Sequence, residues 1–116
     1  MGRQQTTLVV ANATQVLQHS NCDGGNLVVL DETLGNAIAV LPSNPYDGEE
    51  VTIKRISNAA NVARVDANVA PAGCTIIGAG NLTIAAIHHS YILRFRVVTL
   101  ATGVGVWDIK ADYAPS

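Results

Sequence analysis

The stretch GEEVTIKRIS (residues 48–57) decides the fold class. Val51 and Ile53 alternate with Thr52 and Lys54, the period-two pattern of a strand with one apolar face. Asp47-Gly48 before it is a turn pair, and Ser57-Asn58 after it opens a loop. Working outward, short Val/Ile/Leu/Thr runs recur with turn clusters between them, about every 8–12 residues, the rhythm of an all-β sandwich or barrel. Strands are predicted over residues 6–10, 14–18, 26–30, 37–41, 50–56, 62–65, 75–77, 82–84, 90–99 and 104–109. No long window carries apolar residues at helical spacing behind a cap.

The turns have a mechanism. NCDGGN (21–26) supplies residues that tolerate positive φ, and LPSNPYDGEE (41–50) contains two prolines that lack a backbone donor. ATGVG (101–105) reads as the hairpin joining the two longest strands. In SYILRFRVV (90–98), Tyr91, Leu93, Phe95 and Val97 share one face and are expected in the core. Ser90, Ile92, Arg94 and Arg96 share the other. Trp107 and Ile109 are expected to face the aromatics of that neighbour; Trp107 and Phe95 are the only Trp and Phe in the chain. The Ala-rich stretch 57–70 holds too many Asn, Asp and Val residues for a helix and is read as a strand near 62–65 flanked by loops. The expected fold is all-β: a single-domain antiparallel β-sandwich, jelly-roll-like, with little or no helix. Its parts are an N-terminal arm (1–6), a β-sandwich domain (7–110) and a C-terminal tail (111–116).

Composition narrows the function. At 116 residues the chain has material for one core, and 48% of it is hydrophobic. Only 14% is charged, against about 25% in ordinary soluble domains. A surface so poor in charge is expected to be covered by other copies or by a larger assembly. The net charge of −2 argues against nucleic acid, which requires clustered cations. Of Lys54, Arg55, Arg64, Arg94 and Arg96, four lie on predicted strands in alternation with apolar residues, and the cluster is read as the outward faces of a sheet. No run of apolar residues approaches the roughly 20 that span a bilayer, and MGRQQTTLVV (1–10) is not a signal peptide. The Gly2/Thr6 lipidation pattern and the sequons at Asn12 and Asn81 are read as chance matches.

Chemistry is sparse. Cys22 and Cys74 are too few for a disulfide framework and are read as small buried hydrophobes. HSNCD (19–23) offers His19, Cys22 and Asp23, but the second half of a tetrahedral metal site is missing. His88 and His89 are adjacent and diverge on an extended backbone. Nothing supports a Cys–His nucleophile, the carboxylates fall mostly in turns, and GAGNLT (78–83) lacks the setting of a phosphate loop. No catalytic residue, cofactor or metal is expected.

From residue 48 onward the order of features resembles a β-domain found in virion proteins of tailed bacteriophages, both tail fibres and small capsid-associated proteins. The matching elements are the Pro and Asp-Gly loop (45–48), the VTIKR strand (51–55), the Asn turn (58–61), the Ile77-Gly78 turn, Tyr91 and the W-x-I strand (107–109). They span residues 42–109, and no long repetitive shaft accompanies them. The resemblance therefore implies a capsid decoration, or cement, protein made in the host cytoplasm. It would be a homotrimer bound to the major capsid protein on the virion surface. Met1, Gly2, Arg3, Gln4, Gln5 and Thr6 form the expected contact arm. The alternative is a tail-fibre or receptor-binding module reading a host glycan or protein, with Tyr46, Trp107 and Tyr113 as its available aromatics.

Overall fold

In the computed structural model, residues 7–22 and 26–114 are described. Alternation along GEEVTIKRIS does what the pattern requires: Val51 and Ile53 are buried, while Thr52 and Lys54 are half-exposed. The same rule yields ten strands: β1 (Thr7–Ala11), β2 (Ala13–Val16), β3 (Leu27–Asp31), β4 (Ala37–Val40), β5 (Glu50–Arg55), β6 (Ala63–Asp66), β7 (Thr75–Ile76), β8 (Asn81–Thr83), β9 (Ser90–Thr99) and β10 (Val104–Tyr113). One short 3₁₀ turn, His19–Cys22, is the helical element among the described residues. The protein is thus a single all-β domain with almost no helix.

The pairing differs from the expected antiparallel jelly-roll sandwich. Both sheets are mixed: one runs β1-β3-β5-β9-β10-β7, the other β2-β4-β6-β8. The first six strands alternate between the sheets, and each of the first four pairs in parallel with the strand two places on. The chain therefore winds as three stacked coils, β1–β2, β3–β4 and β5–β6. In the first sheet Leu8 pairs with Val28 and Val28 with Ile53, steps of 20 and 25 residues. In the second Ala13 pairs with Ala37 and Ala37 with Ala63, steps of 24 and 26 residues. Period-two alternation is the same for a parallel and an antiparallel partner, so the sequence pattern carries the strands without their direction.

Side chains at equivalent positions of successive coils stack between the sheets. Val10 and Leu30 from the first sheet and Ala37, Ala39, Ala63 and Val65 from the second are all buried. The alanine ladder lets the two layers approach closely. Asparagines hold the corners: Asn12 turns at φ 50°, and a Cβ on Gly35 would collide with its carboxamide. Asn36 Oδ1 accepts the Val62 amide at 3.0 Å, and Asn61 Nδ2 donates to the Glu32 carbonyl at 2.8 Å.

Beyond the coils the winding stops. β9 and β10 form an antiparallel hairpin on the edge of β5, and Phe95 lies opposite Trp107 with ring centroids 5.3 Å apart. Tyr91, Leu93, Phe95 and Trp107 are buried, as the alternation predicts. The strand read as 104–109 continues to Tyr113, with Ala111 paired to Ile92 and Asp112 to Tyr91, so part of the predicted tail is sheet. The two-residue β7 and three-residue β8 finish the two sheets. They are joined through Ile77 and Gly78, both at positive φ (45° and 85°). The expected arm, Met1 to Thr6, lies outside the described residues.

Candidate functional site

The strand β5 and the residue before it place charge where solvent cannot reach. Glu49 and Arg55 have the same parity as Val51 and Ile53, so a strand of period two turns all four inward. Arg55 is 7% exposed and Glu49 is 0% exposed. The sequence reading that sent Arg55 outward with Lys54, Arg94 and Arg96 is therefore corrected. Isolated buried charge is costly, and each group has a partner. Arg55 Nε donates to Glu32 Oε2 at 2.9 Å and to the Ser57 carbonyl at 2.9 Å. One terminal nitrogen donates to the carbonyls of Ile84 (3.0 Å) and Ala85 (2.6 Å), the other to that of Ala59 (2.8 Å). Glu32 is 0% exposed, and its Oε1 has no hydrogen-bond donor among the described residues. Glu49 Oε2 lies 2.8 Å from His19 Nδ1, and its Oε1 accepts the Tyr46 amide at 3.3 Å. These groups tie the third coil to the strands and loops around it.

A recess of about 440 Å³ opens on the outer side of β9 and β10, lined by Asp47, Arg94, Phe95, Arg96, Asp108 and Lys110. Most of its charges are already engaged. Arg96 Nε donates to Asp108 Oδ2 at 2.8 Å and Lys110 Nζ to Glu50 Oε2 at 2.8 Å, while Asp47 Oδ1 accepts the Val97 amide at 2.9 Å. The hydrogen bond from Arg96, against an opposing desolvation and with the help of the Arg96 charge, holds the Asp108 carboxyl below the usual carboxylate range. Arg94 and Arg96 are both exposed, and Arg94 pairs with no carboxylate among the described residues. Neither a histidine nor a cysteine lines the recess. Such a surface can meet a polar or anionic group by charge-assisted hydrogen bonds, in a setting screened by water.

The other candidates are dispersed. Cys22 belongs to the core cluster and Cys74 packs against it, the role expected of small hydrophobes. His19 is engaged with Glu49. His89 Nε2 lies 2.5 Å from Asp112 Oδ1, and its ring stacks on Tyr91 at 4.5 Å. Burial, aided by the Asp112 charge, pushes the Tyr91 hydroxyl above its ordinary range. The His88 amide donates to the Arg55 carbonyl at 2.7 Å. Asp23 of the HSNCD group lies outside the described residues, and those that are described contain no cluster of three or more metal-ligating side chains. No helix of the described residues is long and apolar enough to cross a membrane. Of the three aromatics available for sugar stacking, Trp107 is buried, while Tyr46 and Tyr113 are more than half exposed.

Glu32, Glu49 and Arg55 are the residues that sequence reasoning missed. The signal for two of them was parity with Val51 and Ile53. Glu32, one residue beyond β3, shares the parity of the buried Val28 and Leu30 in the same way. No protein-family model matches the chain, and no curated protein matches it.

Proposed function

We propose that this chain is a structural virion protein of a tailed bacteriophage, a decoration protein bound to the major capsid protein on the outside of the head. One observation carries the reading. The sequence elements that resemble phage virion β-domains come together on adjacent strands: Ile53 of β5 pairs with Tyr91 of β9, and Phe95 of β9 pairs with Trp107 of β10. Three of the features that carry the resemblance, the VTIKR strand, the strand of Tyr91 and the W-x-I strand, are thus neighbours in one sheet. The charged side chains buried near β5 act as internal ties, and most of the recess charges are already engaged. A slab of this kind works by what it covers. Binding only the assembled lattice stabilises that lattice by mass action.

A second reading has its own support. Stacked coils are a quasi-one-dimensional architecture that lengthens by repetition, which suits a fibre. In that case Arg94 and Tyr46 would meet a host glycan or protein. Copies per particle separate the two. Quantitative mass spectrometry of purified virions is expected to count hundreds of copies for a decoration protein; a few tens at most selects the fibre reading.

A further inference from the structure

The two ends of the coil stack are built differently. At one end the sheets finish in β7 and β8, strands of two and three residues that a tight turn ties to each other. Very short edge strands are a usual protection against pairing with another chain. At the other end the sheets finish in β1, of five residues, and β2, of four. β1 pairs only with β3 and β2 only with β4 among the described residues. One whole coil thus presents two consecutive strand edges with backbone groups directed away from the stack. The usual safeguards are missing: β1 reads TLVVA and β2 reads ATQV, without a charge, a proline or a bulge. Val9 and Val16 are 52% and 51% exposed on these two strands.

We infer that this end is a docking surface for a second copy of the same chain, joined through a two-fold axis perpendicular to the sheets. Such an axis lays β1 antiparallel to its own copy and β2 antiparallel to its own copy, so both sheets continue across the junction. The axis sets each edge strand against its own copy, and neither strand carries a charge that the copy would have to face. Pairing over the whole length of β1 centres on Val9, third of its five residues, and sets that residue against its own copy. The contact is isologous and closes at two copies, in place of the trimer that the resemblance implies. It rests on the strand edges and is independent of the virion reading.

Sedimentation equilibrium of the full chain over a range of concentrations tests it. The wild-type chain is expected to be a dimer at high concentration. Val9→Lys and Val9→Glu are each expected to weaken the dimer at least about tenfold by like-charge opposition at the axis. An equimolar mixture of the two is expected to restore it. Leu100→Lys, on the 91%-exposed tip of the β9–β10 hairpin, is expected to leave it intact. Circular dichroism checks that the variants are folded; if Val9→Lys is not, Thr14→Lys on the exposed side of β2 reads the same contact. A wild-type monomer at every concentration, a trimer, or a dimer indifferent to charge on β1 and β2 overturns the inference.

Discussion

Arg55→Met is expected to destabilise the fold by about 3–5 kcal/mol, the range for breaking a buried ion pair from one side. Methionine keeps much of the arginine stem and removes every donor. The Glu32 carboxylate, 0% exposed, is left without its cation. The carbonyls of Ser57, Ala59, Ile84 and Ala85 lose the guanidinium as well. Those four carbonyls belong to the corner after β5 and to the segment after β8, so one side chain fastens the last coil to the element that closes the second sheet. The loss is therefore expected throughout the β5–β6–β8 region rather than at one contact. The double variant Arg55→Met/Glu32→Leu removes both charges and is expected to recover a large part of the deficit, because an apolar pair of similar volume does not pay for desolvation. Urea unfolding followed by circular dichroism measures both. A loss under about 1 kcal/mol for the single variant, the scale of an exposed pair, would mean that Arg55 is solvated and the inward assignment is wrong.

Trp107→Ala is expected to cost about 3–5 kcal/mol, through lost burial and the cavity left behind. Trp107 is buried at the centre of its strand, facing Phe95 on one side and paired with Ile76 of β7 on the other. It therefore joins the hairpin to the strand that ends the first sheet. The neighbouring Gly105 shows how closely this hairpin is packed: a Cβ there would run into the Phe95 ring and the Arg96 carbonyl. Trp107→Phe keeps an aromatic ring against Phe95 and is expected to cost less than half as much. The comparison by urea unfolding separates aromatic packing from strand pairing, since both variants keep the backbone ladder. Equal losses for the two would place the tryptophan's contribution outside the ring contact.

All ten strands lie close to where the sequence pattern predicts them, and the faces of β9 and β10 are as expected, because a period of two is a local property; β3, with Val28, Val29 and Leu30 all buried, departs from it. The winding was less legible. Leu8, Val28 and Ile53 occupy one stacked position, and Ala13, Ala37 and Ala63 another, with Asn12, Asn36 and Asn61 at the corners. That is an internal repeat, blurred because the corners within the three coils take one, five and seven residues (from Ala11 to Ala13, Asp31 to Ala37, and Arg55 to Ala63). A fixed-period search loses it, whereas an alignment on the Asn and Ala positions would have retained it. The inward charges were lost for another reason. Arg55 was assigned by its hydrophilicity, although its parity with Val51 and Ile53 pointed the other way; at Lys54, Arg94 and Arg96 hydrophilicity and parity agree. The recess on β9 and β10 combines residues from the loop before β5 with residues of the hairpin. It depends on which strands become neighbours, and a linear pattern does not contain that.

The most direct test of the proposed structural role is made on the particle itself. Heads from which this protein has been stripped, or assembled without it, are heated and their DNA release is followed against complete heads. The decoration reading predicts release at a lower temperature, restored by adding the purified chain back, with adsorption to host cells unchanged. Heads of undiminished heat stability that no longer adsorb would contradict it.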